Sequence, residues 1–132
     1  MSLLPLPAVS TARILVVDDD EDVRELLAMI LSGTGYDVEA VGNGVEALRR
    51  LEQQWYNLVV SDLQMPELDG PSLYMEVTRR WPSGRPHVLF VSGFVDTAEY
   101  LGFLNVANVP VLVKPFTVDD LRETVRRVLE RA

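Results

Sequence analysis

Short runs of apolar residues recur along this chain, separated by segments with helical spacing. They lie at 14–17, 58–60, 88–91 and 109–113, and β-branched residues dominate them. A strand that is apolar on both faces must be covered on both sides, as happens in a parallel sheet between two helical layers. Residues 37–41 alternate like a half-buried fifth strand. We therefore predict an α/β fold with a five-stranded parallel sheet and about five helices.

The connecting segments predict helices with identifiable starts and ends. The first helix should end near 32–33, and Thr117 should cap the last. A third helix should open at Pro71, a favoured first helical position. Residues 96–108 should form a short or irregular helix, because Gly102, Asn105 and Asn108 interrupt an apolar stretch. The helix after Asn43 should carry Val45, Leu48 and Leu51, and three aromatic residues near helix ends should pack at the edge of the core: Trp55, Tyr56 and Trp81.

Length and composition exclude several classes of protein. The chain has 132 residues and suits one domain, which we place at 13–132 after an N-terminal extension at 1–12 that is flexible or partly vector-derived. Its 12 basic and 20 acidic side chains give a charge of −8, which argues against direct nucleic-acid binding. The absence of Cys excludes disulfides and Cys-based zinc sites. No apolar run approaches the ~18 residues that span a bilayer, so we expect no membrane insertion and a cytoplasmic location.

Polar residues follow four of the predicted strands. Asp18 and Asp19 come after the first run and Asp62 after the third strand, while Ser92 and Lys114 follow the fourth and fifth. The carboxyl ends of parallel strands meet at one edge of the sheet, where ligands bind in open α/β folds. We expect these side chains to converge there. The neighbouring acids Asp20, Glu21 and Asp22 suit the start of a helix instead.

Three clustered carboxylates need a shared cation to stay ionised together. Oxygen ligands without His or Cys favour Mg²⁺, with Mn²⁺ as an acceptable substitute. Such an ion binds phosphoryl oxygens, and Lys114 and Ser92 could contact the same group. Asp62 lies between the other groups, which makes it the best candidate for a nucleophile toward phosphorus.

These residues resemble the receiver domains of bacterial response regulators across 13–131. The matching stretches are 14–19 (ILVVDD), 58–70 (LVVSDLQMPELDG), 91–93 (VSG) and 113–116 (VKPF). The resemblance implies a flavodoxin-like (βα)5 three-layer sandwich with strand order 2-1-3-4-5. It also implies a phosphoacceptor module of two-component signalling (phosphorelay signal transduction) that is not a turnover enzyme, unless it is part of a hybrid histidine kinase.

The resemblance assigns a role to each matched position. Asp62 would become an aspartyl phosphate, with a histidine kinase or a histidine phosphotransfer domain as the donor. Asp19, Asp62 and the Gln64 backbone carbonyl would bind Mg²⁺ directly, and Asp18 largely through water. Lys114 and Ser92 would contact the phosphoryl oxygens. The supporting positions would be Gly93, which leaves the approach open, Pro66 and Gly70, which shape the loop after Asp62, and Pro115, which fixes the turn after Lys114.

One departure leaves the output of the switch open. The family often has an aromatic residue three positions before the Lys, and Val111 stands there instead. The surface at 92–116 should still switch partner interactions, and a homodimer through 96–131 is one option. Leu101, Phe103 and Leu104 either bind a partner or belong to the core. Two alternative functions also stay open: a phosphorylation-independent pseudo-receiver, and a Mg²⁺-dependent small-molecule phosphohydrolase.

Overall fold

The structure is a computed structural model, and it describes residues 11–131. A parallel sheet of order β2-β1-β3-β4-β5 lies between helical layers, which confirms the predicted fold class. The elements in chain order are β1 Arg13–Val17, α1 Glu21–Gly33, β2 Asp37–Val41, α2 Gly44–Gln53, β3 Leu58–Ser61, α3 Gly70–Arg80, β4 His87–Ser92, α4 Phe94–Glu99, α5 Leu101–Ala107, β5 Val111–Val113 and α6 Val118–Leu129.

The predicted N-terminal extension lies largely outside the described residues. The pairing of β1 with β2 reaches one residue into it, because the Asp37 N–H donates to the Ala12 carbonyl over 3.0 Å. Within residues 11–131, none of the helices has the length and apolarity needed to cross a bilayer.

The core consists of two layers, one on each face of the sheet. Leu15 and Val17 of β1 face one layer, while Ile14 and Val16 face the other, and all four are fully buried. The same alternation occurs in β3 and β4, which explains why these strands are apolar throughout. With β1, β3 and β4 rigidly packed, their carboxyl ends are fixed relative to one another.

Side-chain caps set where four helices begin. Asp20 accepts hydrogen bonds from the N–H groups of the first turn of α1, and Asn43 and Asp69 do the same for α2 and α3. Thr117 and Asp120 form a reciprocal capping box at the start of α6. The expected roles of Asp20 and Thr117 as helix starts are therefore confirmed.

Two local predictions were wrong, and one of the apolar residues expected on α2 is exposed. The segment 96–108 holds parts of two helices that meet at Tyr100, and Asn108 ends the second at a left-handed φ of 55°. The last strand starts at Val111 rather than 109: the Pro110 carbonyl already accepts from the Phe90 N–H over 3.0 Å, but proline has no N–H to donate to the sheet. Val45 is 45% exposed, because Ala47, Leu48 and Leu51 form the buried face of α2.

Candidate functional site

Three carboxylates converge at the carboxyl ends of β1 and β3, as the sequence predicts. The two strands are hydrogen-bonded neighbours, and Val17 is paired with Ser61 at their ends. Asp18 and Asp19 follow β1, Asp62 follows β3, and one carboxylate oxygen from each lies within 4.8 Å of the others. Because β1 and β3 are the central strands, the cluster lies beside the point where the strand order reverses.

Backbone hydrogen bonds hold two of these residues firmly. The Asp18 N–H donates to the Val41 carbonyl (3.2 Å), and the Asp62 N–H donates to the Val17 carbonyl (3.1 Å). Asp18 Oδ1 accepts from the Asp20 N–H over 2.9 Å, while Asp62 Oδ1 accepts from the Leu63 N–H over 2.8 Å. The two backbone bonds extend the sheet pairing by one residue. The other two bonds hold one oxygen of each carboxylate in place.

The second oxygen of Asp18 is the unusual atom of the cluster. Asp18 is 1% exposed, and its Oδ2 has no hydrogen-bond partner within residues 11–131. A buried carboxylate oxygen without a partner is costly, and a nearby cation or a cation-bound water removes that cost. The donor set, which contains only oxygen atoms, suits a hard divalent ion such as Mg²⁺.

The electrostatics of the cluster point the same way. Burial and, to a smaller extent, the Asp62 charge raise the pKa of Asp18 to about 6, against the opposing effects of the Asp20 N–H and the Lys114 charge. Burial also raises the pKa of Asp62, against the opposing effects of Lys114 and of the Leu63 N–H. Without a cation, the protein thus disfavours full ionisation of its own cluster.

Ser92 and Lys114 complete the arrangement from the other side of Asp62. Ser92 ends β4 and is fully buried, and within residues 11–131 its hydroxyl has no hydrogen-bond partner. The Ser92 hydroxyl is near enough to Asp62 to stabilise its ionised form, which lowers the pKa of that carboxyl, although the two groups do not form a hydrogen bond. The Lys114 N–H donates to the Ser92 carbonyl over 2.8 Å, which joins the ends of β4 and β5, and a cis peptide bond links Lys114 to Pro115.

The loop from Asp62 to α3 is closed by Gly70. A Cβ at this position would lie 2.7 Å from the Asp62 carbonyl oxygen and 2.7 Å from the Phe90 ring. The Gly70 N–H also donates to the Leu63 carbonyl over 2.7 Å. Only glycine allows this approach, so the expected shaping role of Gly70 has a steric basis.

The other loop positions are less constrained. Gln64 and Pro66 are exposed, and the Pro66 carbonyl accepts from the Leu68 N–H over 2.8 Å. Between them and α3, Glu67 has a left-handed φ of 71°. A Cβ at Gly93 would meet no atom within 4 Å, so this position has room for a side chain.

Sequence reasoning missed one contact between the loop and α4. The Tyr100 hydroxyl donates to Asp69 Oδ2 over 3.2 Å, and Asp69 Oδ1 accepts from the Ser72 N–H at the start of α3. Asp69 could have been identified as a cap from the Gly70-Pro71 that follows it. No local pattern signals a partner 31 residues away.

Val111 and its neighbours show what replaces the expected aromatic residue. Val111 is half-buried and paired with Phe90 across β4 and β5. The Phe103 ring lies 6.0 Å from the Phe90 ring and 5.7 Å from the Tyr74 ring, both edge to face. Phe103 and Leu104 therefore belong to the core, while Leu101 is exposed.

Comparisons with known proteins identify the same domain elsewhere. The family model described as response regulator receiver domain matches residues 14–126. The sensor kinase CckA of Brucella abortus is 36% identical over 123 residues, or 92% of this chain and 13% of CckA. The response regulator receiver protein CpdR of Brucella abortus is 33% identical over 117 residues, or 89% of this chain and 96% of CpdR.

A solved structure agrees with these sequence matches. The chemotaxis protein CheY4 of Vibrio cholerae has a TM-score of 0.80 at 27% identity, covering 90% of this chain and 99% of that one. The chain spans about half the length of several other curated relatives that it matches. The chain therefore shares one domain with these longer proteins.

Proposed function

The chain belongs to the response regulator receiver domain family, and from this premise we propose that Asp62 is its phosphoacceptor. Members of this family are phosphoacceptor signalling modules of two-component systems, and their partners are histidine kinases. The observation that supports Asp62 is its position between two buried polar groups that have no hydrogen-bond partner among residues 11–131. Asp18 Oδ2 lies in its carboxylate cluster, and the Ser92 hydroxyl lies on its other side.

Receiver domains generally bind Mg²⁺ at an acidic pocket, and the residues present here fit that ion. Asp19, Asp62 and the Gln64 backbone carbonyl would hold it directly, with Asp18 acting through water. The unpartnered Asp18 oxygen supports this assignment, because it is a buried acceptor facing a cluster of acceptors. When bound, the ion neutralises the carboxylates and polarises the phosphoryl group. Mn²⁺ has similar preferences and should substitute.

Each nearby side chain then has a definite task in phosphoryl transfer. A carboxylate oxygen of Asp62 forms the new bond to phosphorus while the bond from phosphorus to the donor histidine nitrogen breaks. The electron pair of that bond stays on the imidazole. The Leu63 N–H holds Asp62 Oδ1, which leaves Oδ2 as the attacking atom. Lys114 neutralises charge on the phosphoryl oxygens, and the Ser92 hydroxyl gains its missing partner there.

We place the output on the surface at 92–116. Only Gly93 separates Ser92 from the start of α4, and Thr97 of that helix donates to the Gly93 carbonyl through both its N–H and its hydroxyl. Its other end is joined to the loop after Asp62 by the contact between Tyr100 and Asp69. A movement of Ser92 toward a phosphoryl group therefore shifts the start of α4, while the contact between Tyr100 and Asp69 holds its end. The exposed apolar residues of this surface are where a partner or a second copy would bind: Phe94, Val95, Leu101 and Val106.

Phosphorylation with a small phosphodonor tests this assignment. The protein incubated with Mg²⁺ and acetyl phosphate should gain one phosphoryl group of about 80 Da by intact mass spectrometry, and chelation should prevent the gain. Asp62→Asn should gain nothing. Asp22→Asn removes an exposed acid of α1 outside the cluster and should be labelled normally. Equal labelling of Asp62→Asn would refute the assignment, and no labelling of the unaltered protein would favour a pseudo-receiver.

A further inference from the structure

A pocket lies at the amino-terminal ends of β4 and β5, at the opposite edge of the sheet from the acidic cluster. This β4–β5 pocket has a volume of about 460 Å³. Its walls come from the loop at 82–86 before β4, the loop at 108–110 before β5, and side chains of α3 and of the end of α6. Small-molecule sites typically have volumes of about 300–1,000 Å³, so the pocket has the size of such a site.

The sheet leaves one backbone position of β4 without a strand partner in this pocket. β4 starts at His87, but its pairing with β5 starts only at Phe90, opposite Val111. The Phe90 N–H donates to the Pro110 carbonyl. Backbone groups two residues apart in a strand face the same side, so Val88, which lines the pocket, also turns its N–H and C=O toward β5. No residue of β5 lies opposite Val88, and Pro110 has no N–H to donate to its carbonyl.

A single open backbone position suits a small ligand better than a strand of another chain. An added strand would need several consecutive positions of this kind, and β4 offers only Val88 on this side before its pairing with β5 begins. A group with a donor beside an acceptor can bond both the N–H and the C=O of one strand residue, as opposite residues do in an antiparallel pair. Nucleobases have such an edge, since adenine carries its N6 amino group beside the N7 acceptor.

The charges that line the β4–β5 pocket favour an anion. The chain has 20 acidic residues, yet none of the described residues that form these walls is acidic. Arg85 and Arg131 both line the pocket, and within residues 11–131 neither forms a salt bridge. Every arginine of α2 and α3, by contrast, is paired with a glutamate. The pocket therefore presents positive charge that the protein does not neutralise itself.

The loop before β4 brings Arg85 to the pocket. Gly84 has a left-handed φ of 74°, and the Arg85 guanidinium after it donates to the Pro82 carbonyl over 2.9 Å. A guanidinium has five N–H donors, so most of them stay available. Arg131 reaches the same pocket from the end of α6. The geometry of the guanidinium fork matches that of a phosphate group, which makes phosphate the anion that fits best.

We propose that the β4–β5 pocket binds a mononucleotide, with its base against Val88 and its phosphate against Arg85 and Arg131. The base would bond the N–H and C=O of Val88 and pack on Tyr74, the aromatic residue of the walls. The two guanidinium groups would neutralise the phosphate. Because the pocket and Ser92 lie at opposite ends of β4, nucleotide binding here does not require phosphorylation of the acidic cluster.

Titration of the full chain with AMP, followed by nuclear magnetic resonance of the backbone amides, tests this directly. The amide signals of His87, Val88 and Asn108 should shift in a saturable manner, while those of Asp62 and Leu63 should stay in place. A chelator is present throughout, so that no metal-bound phosphate occupies the acidic cluster. Adenosine and inorganic phosphate each carry one part of the ligand, and each should bind at least about 10-fold more weakly than AMP.

Two double variants of equal charge test the phosphate contact. Arg85→Gln with Arg131→Gln should weaken AMP binding by about 10- to 100-fold, because hydrogen bonds between charged groups are lost. The matched control is Arg79→Gln with Arg127→Gln, which removes the same charge from exposed arginines of α3 and α6 that do not line the pocket. This control should leave the affinity for AMP unchanged.

Nucleotide binding in this pocket is overturned if millimolar AMP produces no saturable shift at His87, Val88 and Asn108. It is also overturned if AMP binds no more tightly than inorganic phosphate, since the base is then not recognised, or no more tightly than adenosine, since the phosphate is then not held. Equal losses of affinity in the two double variants would show that AMP responds to the overall charge of the protein rather than to Arg85 and Arg131.

Discussion

Replacing Asp18 with asparagine should stabilise the metal-free protein at neutral pH. Asp18 is 1% exposed, and its Oδ2 has no hydrogen-bond partner within the described chain. The ionised form is therefore held in an environment that disfavours it, and the pKa is raised from 3.8 to about 6. The asparagine oxygen can still accept from the Asp20 N–H, and its amide group can donate toward the other carboxylates of the cluster.

The sign and size of the effect follow from this shift. A carboxyl group with a raised pKa in the folded state contributes stability that is fully present below pH 3.8 and is lost as the pH rises through about 6. Each pKa unit corresponds to about 1.4 kcal/mol, so the loss reaches about 3 kcal/mol at pH 8 and only about 1 kcal/mol at pH 4.5. Asparagine does not ionise, so the free energy of unfolding of the variant does not fall in this way as the pH rises.

Urea unfolding in the presence of a chelator, followed by circular dichroism, measures the difference. At pH 8 the midpoint of Asp18→Asn should exceed that of the unaltered protein by about 1–2 M, and the gap should shrink at pH 4.5. The control is Asp19→Asn, an exposed carboxylate of the same cluster, which should change stability by less than about 1 kcal/mol. Mg²⁺ should reduce the difference between the two urea midpoints, because it stabilises ionised Asp18 in the unaltered protein. If Asp18→Asn is less stable than the unaltered protein at pH 8, or if the difference between their midpoints does not change with pH, ionised Asp18 does not destabilise the metal-free fold.

Four further substitutions, one of them a matched control, test how the site is supported. Gly70→Ala should cost about 2–3 kcal/mol in thermal unfolding because its Cβ meets backbone and ring atoms, whereas Gly93→Ala should cost less than about 0.5 kcal/mol. Thr117→Ala should cost about 1 kcal/mol in the same assay by removing the cap of α6. Tyr100→Phe frees α4 from Asp69 and should raise the affinity for beryllium fluoride, a phosphoryl analogue, about 3- to 10-fold by titration. Unchanged affinity would mean that this contact does not hold the resting state.

The parts of the site that the sequence predicted are those determined by strand ends. Asp18 and Asp62 each follow a predicted strand, and the carboxyl ends of parallel strands meet at one edge of the sheet, so their convergence could be expected without knowing the strand order. The same argument located Ser92 and Lys114. The chemistry of the cluster was also predictable, since three carboxylates on adjacent strands imply a cation whatever the surrounding loops do.

What could not be predicted depends on contacts between distant segments. The break between α4 and α5 occurs at Tyr100, whose hydroxyl donates a hydrogen bond to Asp69 at the start of α3. Periodicity describes one helix at a time, so it cannot reveal such a bond. Trp55 illustrates a second limit, because an apolar residue near a helix end can lie against the core or outside it. Trp55, two residues after the end of α2, is 53% exposed.

Borohydride reduction tests, at the level of one residue, whether the phosphoryl group attaches to Asp62. An aspartyl phosphate is reduced by borohydride to homoserine, which makes that residue about 14 Da lighter than aspartate. After incubation with Mg²⁺ and acetyl phosphate, peptide mass spectrometry of the reduced protein should find homoserine at position 62 and intact aspartate at positions 18 and 19. Homoserine at position 18 or 19, or aspartate retained at position 62 in a protein that has gained a phosphoryl group, would show that Asp62 is not the phosphoacceptor.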